Sequence, residues 1–190
     1  MKRIFILILL GYTLNSFCCS DDRRVQDFLC QVVKCQAHSY LRRLVIDDDT
    51  RSVINLPGSD GEPALHWAAI TGDTESVDIL LKNGANANQL DDDGDTPLHS
   101  AAISGSVEIA QMLIDHEAKT TINHPDRHGY VALHSAAFNN NVGVLNILLQ
   151  NGALTTINHP AKNGLTPLGA AREKGNDDAV VLLRSYGATE

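Results

Sequence analysis

The chain reads as an all-α solenoid of stacked helix-turn-helix units joined by β-turn or hairpin connections, and three observations predict it. Gly61, Gly94, Gly129 and Gly164 follow one another at intervals of 33, 35 and 35 residues, and Leu65, Leu98, Leu133 and Leu168 keep the same spacing. Gly84, Glu117, Gly152 and Gly187 each lie 23 residues after their copy's glycine. Self-similarity at such a period marks a stacked repeat array. Each copy also carries its own helix punctuation, and the terminal copies turn polar where no neighbour would cover them.

Residues 1–20 stand apart from the array. Lys2 and Arg3 precede the apolar run Ile4–Leu10, and small or polar residues follow at Asn15, Ser16, Cys18, Cys19 and Ser20. That order predicts a secretory signal peptide, with cleavage after Cys18 or Ser20. The alternative is a lipid anchor on Cys18 or Cys19. The run is too short to span a bilayer, so no membrane insertion is expected after cleavage. The brevity of the segment is bacterial in style, which places the mature chain in the periplasm, with secretion or lipid anchoring as alternatives.

Residues 21–57 form a degenerate N-terminal capping repeat in this reading, with Phe28, Val32, Val33 and Leu41 to dock it. Val45 and Ile46 fall in the register of Leu80-Leu81 and Leu148-Leu149. Of the four cysteines, Cys30 and Cys35 remain after cleavage. Five residues along one helix put their side chains on different faces, so a disulfide requires a break in that helix, and the other reading is two small core residues. Four units follow, at 58–90, 91–125, 126–160 and 161–190.

The unit at 91–125 shows the local logic. Thr96 caps a short helix by accepting from orphan amides, Pro97 takes the first helical position, and Gly105 ends the helix. The pair Ala101-Ala102 lets adjacent helices approach closely. A second helix over Val107–His116 has Val107, Ala110, Met112, Leu113 and Ile114 as its apolar set. Asp91-Asp92-Asp93-Gly94 forms the turn between units, with Gly94 free to take positive φ. In the last copy Gly169 replaces the histidine, while Arg172 and Arg184 replace an alanine and a leucine, which makes it a capping unit.

The motifs Asp93-Gly94-Asp95-Thr96-Pro97-Leu98-His99, Asn163-Gly164-Leu165-Thr166-Pro167-Leu168-Gly169, Gly61-Glu62-Pro63-Ala64-Leu65-His66 and Gly129-Tyr130-Val131-Ala132-Leu133-His134 resemble the ankyrin repeat. Each is followed by small alanine positions and, later, by a leucine-rich helix end. The resemblance covers roughly residues 54–188. It implies an ankyrin-repeat solenoid whose partner is another protein, lying on a concave face made by turn tips and first-helix ends. By register that face comprises Ser59, Asp60, Glu62, Ile70 and Thr71, then Asp92, Asp93, Asp95, Ile103 and Ser104. The third and fourth copies add Arg127, His128, Tyr130, Phe138 and Asn139, then Lys162, Asn163, Leu165, Glu173 and Lys174. Its first half is acidic and its second basic. Trp67 is expected to pack into the neighbouring unit.

No constellation for chemistry emerges. His66, His99 and His134 recur one per unit, so they stack roughly 10 Å apart, too far to share an ion with bonds of about 2.0–2.1 Å. The resemblance gives these histidines a structural role, tying neighbouring turns together. His124 and His159 recur in the same way, and His128 has only Asp126 as a nearby ligand. Ser100 and Ser135 follow histidines directly, but adjacent helical positions point apart, and no Gly-x-Ser-x-Gly elbow or phosphate-cradling loop appears. Asp47-Asp48-Asp49 and Asp91-Asp92-Asp93 lack calcium-loop spacing. The reading is therefore a non-enzyme without cofactor or metal, expected to be a monomer. The net charge of −8 argues against nucleic acid as partner. Resemblance to small exported ankyrin proteins suggests an immunity protein or a supporter of a periplasmic enzyme; the alternative is a secreted effector or accessory protein acting on a host protein.

Overall fold

The computed structural model describes residues 22–45 and 52–189. The predicted signal segment, the lipidation alternatives at Cys18 and Cys19, Ile46 and the run at 47–49 lie outside the described residues. The helices run in pairs: α1 (Asp22–Lys34) and α2 (His38–Leu44), α3 (Ala64–Ile70) and α4 (Thr74–Lys82), α5 (Pro97–Ser104) and α6 (Val107–Asp115). α7 (Ala132–Phe138) pairs with α8 (Val142–Gln150), and α9 (Pro167–Glu173) with α10 (Asp177–Ser185). Short 3-10 turns at Ala118–Thr120 and Ala153–Thr156 take up the extra residues of the two longer units. No strand occurs among the described residues, so the connections are turns closed by backbone bonds. None of the described helices is long and apolar enough to cross a membrane.

First helices stack on first helices, α1 on α3 and onward to α9, and second helices form a parallel layer from α2 to α10. The core sits between the layers. Leu65, Leu98, Leu133 and Leu168 are all buried, and so are the alanines at 68–69, 101–102 and 136–137, whose small size permits the close helix spacing. In the last unit Arg172 and Arg184 are exposed. At the other end Phe28, Leu29, Val33, Leu41 and Val45 are buried, docking α1 and α2 as a leading pair.

Two local expectations need correction. Val107 is 43% exposed and Met112 half-buried, whereas Ile109, absent from the expected apolar set, is fully buried. Ser106 fixes this phase: its hydroxyl accepts from the Ile109 N–H, so the inward face carries Ile109, Ala110, Leu113 and Ile114. Val107 lies instead over Gly143 of α8, where an added Cβ would come within 2.6 Å of its Cγ2. The helix also stops at Asp115, with His116 as its C-cap. Of the two cysteines among the described residues, both free, Cys30 is buried but Cys35 is exposed, so the reading of two core residues holds only for Cys30. Burial, aided by the charge of Asp60, pushes the Cys30 thiol up to about 12.

Glu117 occupies the position that is glycine in the other copies and adopts φ 71°, while Asn140 replaces the helix-ending glycine at φ 56°. Asparagine tolerates this region, and Asn140 Oδ1 also accepts from the Ala179 N–H of α10.

Candidate functional site

The recurring geometry of one unit begins at its turn. Asp91 closes the turn by donating its N–H to Asp95 O, and its carboxylate Oδ1 accepts from the N–H groups of Asp93 and Asp95. Asp126 does the same for His128 and Tyr130, and Asn163 accepts from Leu165. Successive tips are joined by one backbone bond each: Asp92 N–H to Gly61 O, Arg127 N–H to Asp93 O, and Lys162 N–H to His128 O, at 2.9–3.1 Å. Gly61 sits beneath Asp92, where a Cβ would come within 2.6 Å of the carboxylate.

Behind the tips the motif histidines link each unit to the next. His99 Nδ1 accepts from the N–H and hydroxyl of Thr96, which fixes the proton on Nε2, and Nε2 donates to Tyr130 O at 3.1 Å. His134 accepts from the Val131 N–H and donates to Leu165 O. His66 donates to Asp95 O, but its Nδ1 has no partner, because Pro63 stands where Thr96 would be and has neither N–H nor hydroxyl. Thr96 thus spends its hydroxyl on the imidazole. Where glycine replaces the histidine, Thr166 Oγ1 accepts the amide of Gly169 as a simple cap. Burial lowers all three histidines, His99 to about 4.

The residues expected on the concave face separate into four groups. Asp92, Asp93, Arg127, His128 and Lys162 are exposed at the tips, Asp93 paired with Arg127 across the boundary of the acidic and basic halves. Asp95 is half-buried. Burial first, then the charges of Asp91, Asp126, Asp93 and Glu62, push its carboxyl up to about 7. The apolar positions differ among themselves. Ile103 and Phe138 hold the same register on α5 and α7 and are each 43% exposed. Lys174 Nζ lies 4.2 Å from the Phe138 ring centre, a cation–π contact. Tyr130 and Leu165 are half-buried. The Tyr130 hydroxyl accepts from Asn163 Nδ2, and its ring meets His134 edge-on. Ser104 and Asn139 fold back on their own helices, donating to Ala101 O and Ser135 O.

Trp67 lies against the core at the leading end, with Lys34 Nζ 3.8 Å over its ring. Among the described residues no group of three or more His, Cys, Asp or Glu side chains is arranged to hold a metal ion. The turn role expected of the run containing Asp91 is carried by its carboxylate, and the equivalent role of Asp126, three residues before Gly129, is not read from the sequence although the same spacing signals it.

These features define a helical repeat solenoid whose units are tied by a motif histidine and a turn ladder. The family model "Ankyrin repeats (3 copies)" matches residues 29–124 and 65–161, and the chain belongs to the ankyrin-repeat family. No curated protein matches the chain.

Proposed function

We propose that this chain binds another protein on its concave face. Ankyrin repeats are generally protein-binding modules, and the family is typically non-enzymatic. The observation that carries the reading is the exposure of Ile103 and Phe138 in one register, within the array of repeated units whose tips expose the carboxylates of Asp92 and Asp93. A merely solvated surface has no need of aligned apolar side chains beside charged turns. Phe138 is the better anchor, since it is exposed whereas Tyr130 is half-buried with its hydroxyl bonded to Asn163. The start of the sequence supports an exported protein, either a periplasmic immunity or enzyme-support protein or an effector acting on a host protein. Mass spectrometry of the mature N-terminus tests export, and an intact Met1 in the final compartment refutes it.

The binding face is tested by kinetics against the partner captured by the mature protein. Phe138→Ala should weaken binding by about 2 kcal/mol. Asp92→Lys should slow association more than it speeds release and reduce its salt sensitivity. Gln150→Ala, at an exposed position at the end of α8, should change neither. Equal losses at Phe138 and Gln150, in variants that remain folded, would place the partner elsewhere.

A further inference from the structure

The joint between α2 and α4 is held differently from the later joints. Before α8 and α10 the residue preceding the second helix reaches back with an amide, whereas Ser106 before α6 caps its own helix: Asn141 Nδ2 donates to Ala102 O and Ile103 O, and Asn176 Nδ2 to Ala137 O and Phe138 O. Asp73 holds the same register before α4. It caps that helix by accepting from the Ser76 N–H, and as a carboxylate it has no proton to donate backwards.

His38, at the start of α2, supplies the missing donor. Its Nε2 lies 2.8 and 3.0 Å from the two Asp73 oxygens, and its Nδ1 lies 3.1 Å from Glu75 Oε2. Arg42, one turn further along α2, reaches the other Glu75 oxygen at 2.9 Å. The charged groups facing this ring are therefore Asp73 and Glu75 on the following unit, with Arg42 beside it on its own helix.

Both ring nitrogens thus face carboxylate oxygens, which only accept. An imidazolium donates at both positions, whereas a neutral ring offers one N–H and turns a lone pair towards the other carboxylate. The side chain is 28% exposed, so protons exchange freely with solvent. We propose that His38 is a protonation-dependent clasp for the leading helical pair, closed as the imidazolium and loosened when the ring gives up one proton to solvent. Docking of α2 on α4 then weakens as pH rises. The buried histidines of the motif have the opposite sign, since they are held neutral and penalise folding at low pH. A local loosening at high pH is therefore distinguishable from their effect.

The test is amide hydrogen exchange on the full chain between pH 5 and 8, expressed as protection corrected for intrinsic rates. The reporters are Leu41 and Val45, whose N–H groups bond Ala37 O and Leu41 O, with Gly105 and His116 as interior references. Wild-type protection at Leu41 and Val45 should fall by about tenfold or more relative to the references, within the single-proton limit of about tenfold per pH unit. His38→Gln cannot titrate and should be flat. Glu75→Gln keeps the ring and the Asp73 cap and should show a shallower fall, which decides the matter even if His38→Gln folds poorly. An unchanged slope in Glu75→Gln or in folded His38→Gln, or no slope in the wild type, would overturn the clasp.

Discussion

At the scale of single residues, the three motif histidines form a graded series. His99 Nδ1 accepts two hydrogen bonds, His134 Nδ1 one, and His66 Nδ1 none. A buried polar atom without a partner costs about 1–3 kcal/mol. Pro63→Thr restores both donors, and although losing proline's stiffness costs about 0.4–1 kcal/mol, a net gain of roughly 1 kcal/mol in urea unfolding is expected. The same burial governs acid behaviour. His99 falls from its ordinary 6.5 to about 4, so between those values the unfolded chain binds more protons and stability rises with pH. Acidification from pH 6.5 to 4 should remove roughly 3 kcal/mol through this group alone. In His99→Gln the pH slope of the unfolding free energy should be shallower, and an unaltered slope would place the acid sensitivity elsewhere.

At the scale of elements, α6 shows what can be read from periodicity and what cannot. Val107, Ala110 and Leu113 satisfy a helical spacing as well as Ile109, Ala110 and Leu113 do, so the pattern alone leaves the phase open. The Ser106 cap and the neighbouring Gly143 set it, and both act through three-dimensional contact. Ile109→Ala should therefore cost about 2–5 kcal/mol, whereas Val107→Ala should fall within about 0.5 kcal/mol, as for an exposed site. Comparing the two by chemical denaturation checks the phase. The repeat register, the Thr96–Pro97 start, the Gly105 stop and the polar last unit were all legible, because glycine, proline and cap residues act locally. The candidate face was legible in its tips and in Ile103, but not in the commitment of Tyr130 to Asn163 or of Lys174 to Phe138. Those pairs join residues about one unit apart, and periodicity does not report which side chains meet.

For the whole molecule, stability resides in contacts between neighbouring units, since no unit buries both of its faces alone. Leu98 sits in an interior unit, with α3 on one side and α7 on the other. Leu98→Ala should cost about 2–5 kcal/mol and divide the cooperative transition, so that the halves on either side exchange amides independently. Leu168→Ala, in the last unit, should mainly increase fraying of α9 and α10. Hydrogen exchange resolved by unit separates the outcomes, and a uniform response to both substitutions would contradict a nearest-neighbour stack.

The turn ladder carries a mechanical consequence. At each joint the helix layers are locked by broad packing, whereas adjacent tips share one backbone bond: Asp92 to Gly61, Arg127 to Asp93, Lys162 to His128. Stiffness is therefore uneven across the thickness of the molecule, and the tip edge is its compliant side. A force that fans the tips apart stretches a few hydrogen bonds in series while the helices act as a hinge spine. The palm can thus change curvature without any unit unfolding, and its softest joint lies between the first two tips, where His66 contributes the least secured of the three linking rings.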